Sequence, residues 1–209
     1  MAAFLSKPEF TSLATEARIA RTMRALEAHN IRVVVFETGE EARKYVLDLI
    51  PSGADVYNSS SRTLELIGLA DDIEHPTRFQ SVRTQLYSLD RVTQRTEMRK
   101  VGASPDVLVG SVHAITEQGE IMIASATGSQ LGPAALGAGT VIWVVGTQKL
   151  VPTLEDGFRR IREYSLPLEN ERAQQVYGQA SAINKLLIVN GEMYPGRITV
   201  VLIKQGLGF

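Results

Sequence analysis

A short apolar run, Val141 to Val145, constrains the fold of this chain more than any other feature. The run ends at Gly146 and is rich in β-branched residues, which predicts a strand buried on both faces. Pro152 to Asp156 follows closely and predicts the start of a helix capped by Thr153. A buried strand that leads through a polar loop into a capped helix is typical of open α/β sheets, where ligands bind beyond the carboxyl ends of the strands.

The loop between this strand and this helix holds three candidate ligand contacts, Gly146, Thr147 and Lys149. Gly146 breaks the apolar run, and Lys149 would supply a mobile positive charge to a ligand. The alternative is a plain connection without a ligand, in which Lys149 is solvated, because every α/β protein has several such connections.

Strands and helices alternate in the first third of the chain. Phe10 to His29 predicts an amphipathic helix. The β-branched run Ile31 to Phe36 predicts a strand, Thr38 to Leu49 a helix, Ala54 to Tyr57 a second strand and Leu64 to Leu69 a short helix. This order predicts an α/β fold with a largely parallel sheet flanked by helices.

Two glycine-centred turns predict antiparallel hairpins added to that sheet. Val107 to Thr116 and Glu120 to Ser125 are apolar stretches joined by a turn in which Gly119 supplies a positive φ. Leu186 to Val189 and Ile198 to Ile203 predict a second pair of strands around a turn rich in glycine.

The middle of the chain is less regular. Leu86 to Leu89 predicts a short strand, and Thr127 to Gly139 predicts a loop rich in Gly, Ser and Ala. We expect Gly128 and Ser129 of this loop to contact a ligand, because glycine lets the backbone approach a ligand closely.

A second polar loop, Ser59 to Arg62, follows the predicted strand at Ala54 to Tyr57. Its hydroxyls, its free backbone N–H groups and the dipole of the next helix would favour an anion. Arg62 would then pair with a phosphate or carboxylate. The alternative is a serine-capped helix with a solvated Arg62. The candidate anion ligands are Ser59, Ser60, Ser61 and Arg62.

Glu117 lies at the turn of the first predicted hairpin. A carboxylate at this position can act as a nucleophile or a base if the tip of the hairpin points into a cleft. The alternative is a solvated turn charge.

Charge and composition exclude several functions. The chain has 22 basic and 23 acidic residues, which argues against a nucleic-acid surface. It has no cysteine, so its own thiolates cannot hold zinc or an iron–sulfur cluster. The three histidines share no ligand spacing, and we expect no metal site. Met1 to Thr15 lacks the pattern of a secretory signal and no apolar run approaches the ~20 residues that span a bilayer, so we expect a cytoplasmic protein with no membrane partner.

Several segments together resemble the LUD domain, the lactate-utilisation family that includes LutC-type proteins. The resemblance covers most of the chain and is strongest from Gly110 to Asp156. The loop Ser59-Ser60-Ser61 with Thr63-Leu64-Glu65 is similar to a Ser/Thr-rich loop near the N-terminus of the family. The other matching segments are Glu117-Gln118-Gly119-Glu120 with Ile121-Met122-Ile123, the strand end Val144-Val145-Gly146, and the run Lys149 to Asp156.

The resemblance implies a NagB/RpiA/CoA transferase-like fold in one LUD-type domain over residues 1–209, with an N-terminal helical segment, residues 1–30, packed on it. It also implies a role in using L-lactate or another 2-hydroxy acid, as an accessory subunit that binds a carboxylate or phosphate-bearing metabolite beside iron–sulfur partner subunits. The alternatives are a stand-alone enzyme for a CoA ester or phosphorylated metabolite, and a regulatory module. One departure is the segment Val109 to His113, which lacks the acidic group that the family often has before its glutamate.

The topology predicts where these candidates meet. All carboxyl strand ends of a parallel sheet lie on one edge, so the loops after its strands lie side by side. We therefore expect Ser59 to Arg62, Gly128 to Gly132 and Gly146 to Lys149 to converge on one pocket, with Glu117 at its rim.

Overall fold

The computed structural model describes residues 7–209, and a parallel sheet forms their centre. Within these residues the strands are β1 (Arg32–Phe36), β2 (Asp55–Asn58), β3 (Gln80–Ser81), β4 (Val107–Gly110), β5 (Ala114–Thr116), β6 (Ile121–Ser125), β7 (Thr140–Gly146), β8 (Leu150–Val151), β9 (Lys185–Val189) and β10 (Ile198–Ile203).

The helices of the same residues are α1 (Pro8–Thr11), α2 (Glu16–Ala28), α3 (Gly39–Leu49), α4 (Arg62–Leu66), α5 (Leu69–Glu74), α6 (Val82–Ser88), α7 (Arg95–Ala103), α8 (Leu154–Arg160) and α9 (Leu166–Tyr177). A single wider turn, Ile161–Ser165, joins α8 to α9. In the part of the chain that the structure describes, no helix is both long enough and apolar enough to cross a membrane.

Six parallel strands form the main sheet in the order β1-β10-β7-β4-β2-β3. The predicted strand Val141 to Val145 is confirmed as the interior strand β7, between β10 and β4. Trp143 and its alternate neighbours pack on one face, and Ile142 and Val144 pack on the other. Burial on both faces explains the unbroken apolar run in the sequence.

Helices cover both faces of the sheet, which confirms the predicted α/β class. Ile19 and Leu26 of α2 belong to the apolar cluster on one face. Ala42 and Val46 of α3 belong to the cluster on the other face. Thr15 caps α2 by accepting a hydrogen bond from the Arg18 backbone N–H at 3.3 Å. Within the segment predicted to pack on the domain, residues 1–30, helix α2 therefore packs on the sheet, and residues 1–6 lie outside the described residues.

A second, mixed sheet has the order β8-β5-β6-β9. The predicted hairpin at Gly119 is confirmed as β5 and β6, and Gly119 has a φ of 90°. Its first strand is shorter than predicted, because Val107 to Thr116 is two strands in two different sheets. The chain leaves the parallel sheet after Gly110 and enters the mixed sheet at Ala114.

The second predicted hairpin is wrong in its pairing. The strand Lys185–Val189 is antiparallel to β6, whereas Ile198–Ile203 lies between β1 and β7 and is parallel to both. Every residue of β10 is buried, which fits the interior of the parallel sheet rather than the edge position of a hairpin.

The strand predicted at Leu86 to Leu89 is also wrong, because Leu86 lies in helix α6. The Ser81 hydroxyl caps this helix by accepting from the Thr84 backbone N–H at 3.3 Å. The capped helical turn outweighs the strand preference of a short apolar run.

Candidate functional site

A cleft of about 660 Å³ opens beyond the carboxyl edge of the parallel sheet. Its walls come from the segments that follow β2, β4 and β7, from the end of β6 and from α9. All six strands of the sheet run in the same direction, so their carboxyl ends share this edge. The topology thus brings loops that are distant in the sequence into one cleft.

The three predicted loops each contribute to the cleft, but not every predicted residue lines it. The predicted residues that do line it are Ser59, Ser60, Ser61, Arg62, Ser129 and Lys149. Gly128, Gly146 and Thr147 do not belong to its lining. The Gly128 N–H donates to the Ser125 hydroxyl at 2.8 Å, and Gly146 lies against the backbone of the C-terminal segment, where a Cβ would come within 2.6 Å of the Gln205 carbonyl oxygen.

Lys149 is the most unusual of the lining residues, because its side chain is fully buried. Its Nζ donates hydrogen bonds to Thr63 Oγ1 at 3.0 Å and to Ser111 Oγ at 3.1 Å. Burial, reinforced by the positive charge of Arg160, holds the pKa of Lys149 well below its ordinary value. The predicted mobile positive charge is therefore wrong, since the amine is fixed in place and its protonated form is disfavoured.

His113 also lines the cleft and is half-buried. Its Nδ1 accepts from the Ala124 backbone N–H at 3.1 Å. Burial lowers the pKa of His113 to about 3, and the charges of Lys149 and Arg160 act in the same direction. The ring is therefore neutral near pH 7, with its hydrogen on Nε2.

Arg160 is fully buried and contacts the backbone of His113. Its Nη1 donates to the His113 carbonyl oxygen at 2.6 Å and to Ser165 Oγ at 3.1 Å. Its guanidinium lies over the Tyr164 ring, 5.2 Å from the centroid. Burial lowers the pKa of Arg160 to about 10, which leaves it charged near pH 7. A buried positive charge therefore lies beside the cleft without a carboxylate within ion-pair distance among residues 7–209.

Four arginines line the cleft, namely Arg62, Arg83, Arg91 and Arg172. Arg83 holds the serine loop in place, because its Nη2 donates to the Asn58 carbonyl oxygen at 2.9 Å and to Ser60 Oγ at 3.0 Å. Arg172 forms two hydrogen bonds of 2.8 Å to Glu169.

Five of the lining residues were not predicted as ligand contacts, namely Arg83, Arg91, Arg172, Ser111 and His113. Arg83 and Arg172 come from helices that carry no motif, so nothing local marked them. Ser111 and His113 carried a usable signal, since they directly follow a buried parallel strand and such positions often contact ligands.

Comparison with known families identifies the chain. The LUD domain profile matches residues 19–204, which is most of the sequence. The chain belongs to the LUD domain family. The family is generally associated with lactate utilisation. No match was found among curated proteins.

The fold of this LUD domain is similar to that in the crystal structure of a DUF162 family protein from Deinococcus radiodurans. The TM-score is 0.56 and the sequence identity is 12%, and the similarity covers 92% of this chain and 99% of that chain. At this identity the likeness concerns the fold.

Glu117 of the LUD domain has partners of its own outside the cleft. Its carboxylate accepts from Arg21 Nε at 2.7 Å and from Arg18 Nε at 2.8 Å, and it does not belong to the cleft lining. Its position therefore differs from the predicted rim position, because two arginines of α2 bind the hairpin turn to that helix. We leave Glu117 out of the proposed site.

The Glu117 cluster predicts a loss of stability in acid. Hydrogen bonds from Arg21 and Arg18 lower the pKa of Glu117 to about 2 against the opposing effect of desolvation. A lowered folded-state pKa stabilises the protein above the ordinary carboxyl pKa, and this stabilisation disappears as the pH falls towards 2. We expect wild type to lose stability relative to Glu117→Gln over this range, by roughly 0.2–1 kcal/mol. Urea titrations from pH 5 to pH 2 measure the difference.

The control for this measurement is Glu171→Gln, which changes an exposed carboxylate that has no ion pair among the described residues. We expect this control to follow wild type more closely across the same pH range. A free energy of unfolding that responds identically to pH in Glu117→Gln and wild type would show that the cluster does not stabilise the fold.

Proposed function

We propose that the cleft binds an anionic metabolite, a carboxylate or a phosphate, in the use of L-lactate or a related 2-hydroxy acid. The observation that carries this proposal is the charge around the cleft. Four arginines line it, against one side-chain carboxylate, Glu169. Such an excess of positive groups in a cleft attracts anions.

Two of the four arginines are available to a ligand. Arg91 is exposed and forms no ion pair within residues 7–209. Arg62 pairs with Glu65 at 2.9 Å, but both side chains are well exposed and are three residues apart on one helix. Pairs of this kind contribute roughly 0.3–0.5 kcal/mol, so a bound anion can replace Glu65 at little cost.

The hydroxyls of the serine loop supply neutral donors beside these charges. Ser59, Ser60 and Ser61 line the cleft next to Arg62. Ser61 caps α4, since its Oγ accepts from the Leu64 N–H at 3.4 Å. Helix α4 has five residues, so the arginines rather than the helix dipole carry the attraction for an anion.

The biological context of the proposal is an accessory role beside iron–sulfur subunits in lactate oxidation. The association of the family with lactate utilisation supports this role. The chain has no cysteine, so an iron–sulfur cluster held by thiolates would have to be carried by another subunit.

The size of the cleft favours a second candidate, a stand-alone enzyme that acts on a CoA ester or a phosphorylated metabolite. A volume of about 660 Å³ is in the range of sites for ligands much larger than a three-carbon hydroxy acid. The relative affinities for lactate, a CoA ester and a sugar phosphate separate the two candidates.

Replacing Arg62 with alanine is expected to weaken anion binding by about tenfold or more, because a charge-assisted hydrogen bond contributes roughly 1.5–3 kcal/mol. Calorimetric titration with inorganic phosphate, L-lactate and acetyl-CoA measures the affinities of wild type and variant. The matched control is Lys44→Ala, which removes an exposed positive charge on α3 outside the cleft.

We expect Lys44→Ala to bind each probe as wild type does. Equal affinities of wild type and Arg62→Ala for every probe that binds would remove Arg62 from the site. A wild-type protein that binds none of the three probes would contradict the proposed function.

A further inference from the structure

We propose that Ser111 and Lys149 form a nucleophile and general-base pair that cleaves acyl thioesters of an anionic carrier. This inference rests on the proposed function for the cleft that holds the carrier. It adds a reaction and assigns a role to two side chains that line that cleft.

The parallel sheet places the two residues side by side. Ser111 is the first residue after β4, and Lys149 follows β7 in a short helical turn. Strands β4 and β7 are neighbours and run in the same direction. The resulting distance from Lys149 Nζ to Ser111 Oγ is 3.1 Å, which is within reach for proton transfer.

The hydrogen bonds around Lys149 favour transfer from Ser111 to the amine. The Thr63 hydroxyl donates its only hydrogen to the Leu207 carbonyl oxygen at 3.0 Å. Thr63 Oγ1 must therefore accept from Lys149. The neutral amine keeps one lone pair, so its hydrogen bond with Ser111 can also run in the opposite sense, with the Ser111 hydroxyl donating to Nζ.

The surroundings of the amine keep it suited to act as a base. Lys149 is fully buried and has no carboxylate within ion-pair distance in the described part of the chain. The nearby positive charge of Arg160 adds to the desolvation that disfavours its ammonium form. A lysine in this state can take a proton from a hydroxyl group, as in serine–lysine catalytic pairs.

His113 lies two residues after Ser111, also lines the cleft and supplies a hydrogen-bond donor. Its ring is fixed by the Ala124 N–H on Nδ1, and Arg160 holds its backbone carbonyl. The hydrogen on Nε2 is therefore available to the oxygen that becomes negative when a carbonyl is attacked.

The reaction balances without a redox partner. Ser111 Oγ bonds to the acyl carbon while Lys149 Nζ takes the hydroxyl proton, and the carbon–sulfur bond then breaks. The ammonium of Lys149 returns this proton to the leaving thiolate. Water next attacks the acyl ester on Ser111, and its proton passes through Lys149 to Ser111 Oγ. The products are a carboxylic acid and a thiol.

Acetyl-CoA is the probe for this reaction, with thiol release followed by a thiol-reactive dye and the acylated residue located by mass spectrometry after acid quenching. We expect an acetyl group on Ser111 of wild type and none in Ser111→Ala. Lys149→Met is expected to slow thiol release by roughly 10²–10⁴-fold, the usual contribution of a general base. Lys149→Arg, which keeps a cation but cannot lose its proton, should be equally slow.

Two further variants separate catalysis from folding and binding. Ser111→Cys keeps a nucleophile and is expected to carry the acetyl group as a thioester, an outcome that a structural role for Ser111 would not produce. Lys44→Ala, outside the cleft, should release thiol at the wild-type rate.

Calorimetric titration with CoA separates failure of this inference from failure of the proposed function. Wild type that binds CoA but releases no thiol from acetyl-CoA, or acetylation found on Lys149 instead of Ser111, would overturn the inference and leave the proposed function standing. Absence of binding to phosphate, L-lactate and CoA alike would remove the proposed function, and the inference with it.

Discussion

Replacing Trp143 with alanine is expected to lower the free energy of unfolding by about 3–5 kcal/mol, the usual cost of removing a buried aromatic side chain. Trp143 is fully buried in β7, at the centre of the parallel sheet. Its ring also packs under the start of the cleft wall, because a Cβ added to Gly110 would lie 2.7 Å from it. Urea denaturation followed by circular dichroism measures the change.

Trp143→Phe is the matched control for this prediction. The indole Nε1 finds no hydrogen-bond partner among the described residues, so phenylalanine removes volume without breaking a hydrogen bond. We expect a smaller loss of stability than in Trp143→Ala. Equal losses in the two variants would show that the volume of the ring is not what stabilises this part of the sheet.

Replacing Lys149 with methionine is expected to stabilise the protein near pH 7, by an amount that shrinks as the pH rises. The folded state disfavours the ammonium form of Lys149, so its pKa is lower there than in the unfolded chain. Between these two pKa values the unfolded state binds one more proton, so wild-type stability rises with pH. The slope approaches about 1.4 kcal/mol per pH unit and ends near the ordinary lysine pKa of about 10.4.

The quantity to measure is the difference in unfolding free energy between wild type and Lys149→Met from pH 7 to pH 10. Arg160 and His113, the titratable groups that interact with Lys149, are present in both proteins, so their own titration largely cancels. Lys44→Met, on the exposed face of α3, serves as the control. A difference that stays constant with pH would show that Lys149 is as readily protonated in the folded protein as in the unfolded chain.

The main sheet could be predicted because its signals are local. Strand β7 is apolar on both faces, and this pattern is visible in the run from Val141 to Val145 alone. The cap of α8 is equally local, since Thr153 Oγ1 accepts from the Asp156 N–H three residues later at 3.2 Å.

Strand pairing was less predictable, because it depends on partners that are far apart in the sequence. The glycine-rich segment before β10 correctly predicts a turn between two strands, and Gly196 has a φ of 105°. Its flanking strands nevertheless enter different sheets, since β10 finds two apolar neighbours in β1 and β7, whereas β9 completes the edge of the mixed sheet.

The candidate site was also predictable only in part. The parallel topology alone predicted that the loops holding Ser59 and Lys149 would meet. The state of Lys149 was beyond the sequence, because its two hydroxyl partners, Thr63 and Ser111, are 86 and 38 residues away. Those contacts make Lys149 a buried amine rather than the mobile ligand-binding charge that the sequence predicted.

The most direct test of the account is a crystal structure of the wild-type protein soaked with inorganic phosphate or L-lactate. We expect an anion in the cleft beyond the carboxyl edge of the parallel sheet, in contact with Arg62 and the serine loop. An ordered anion elsewhere on the protein, with the cleft empty at the same ligand concentration, would contradict it.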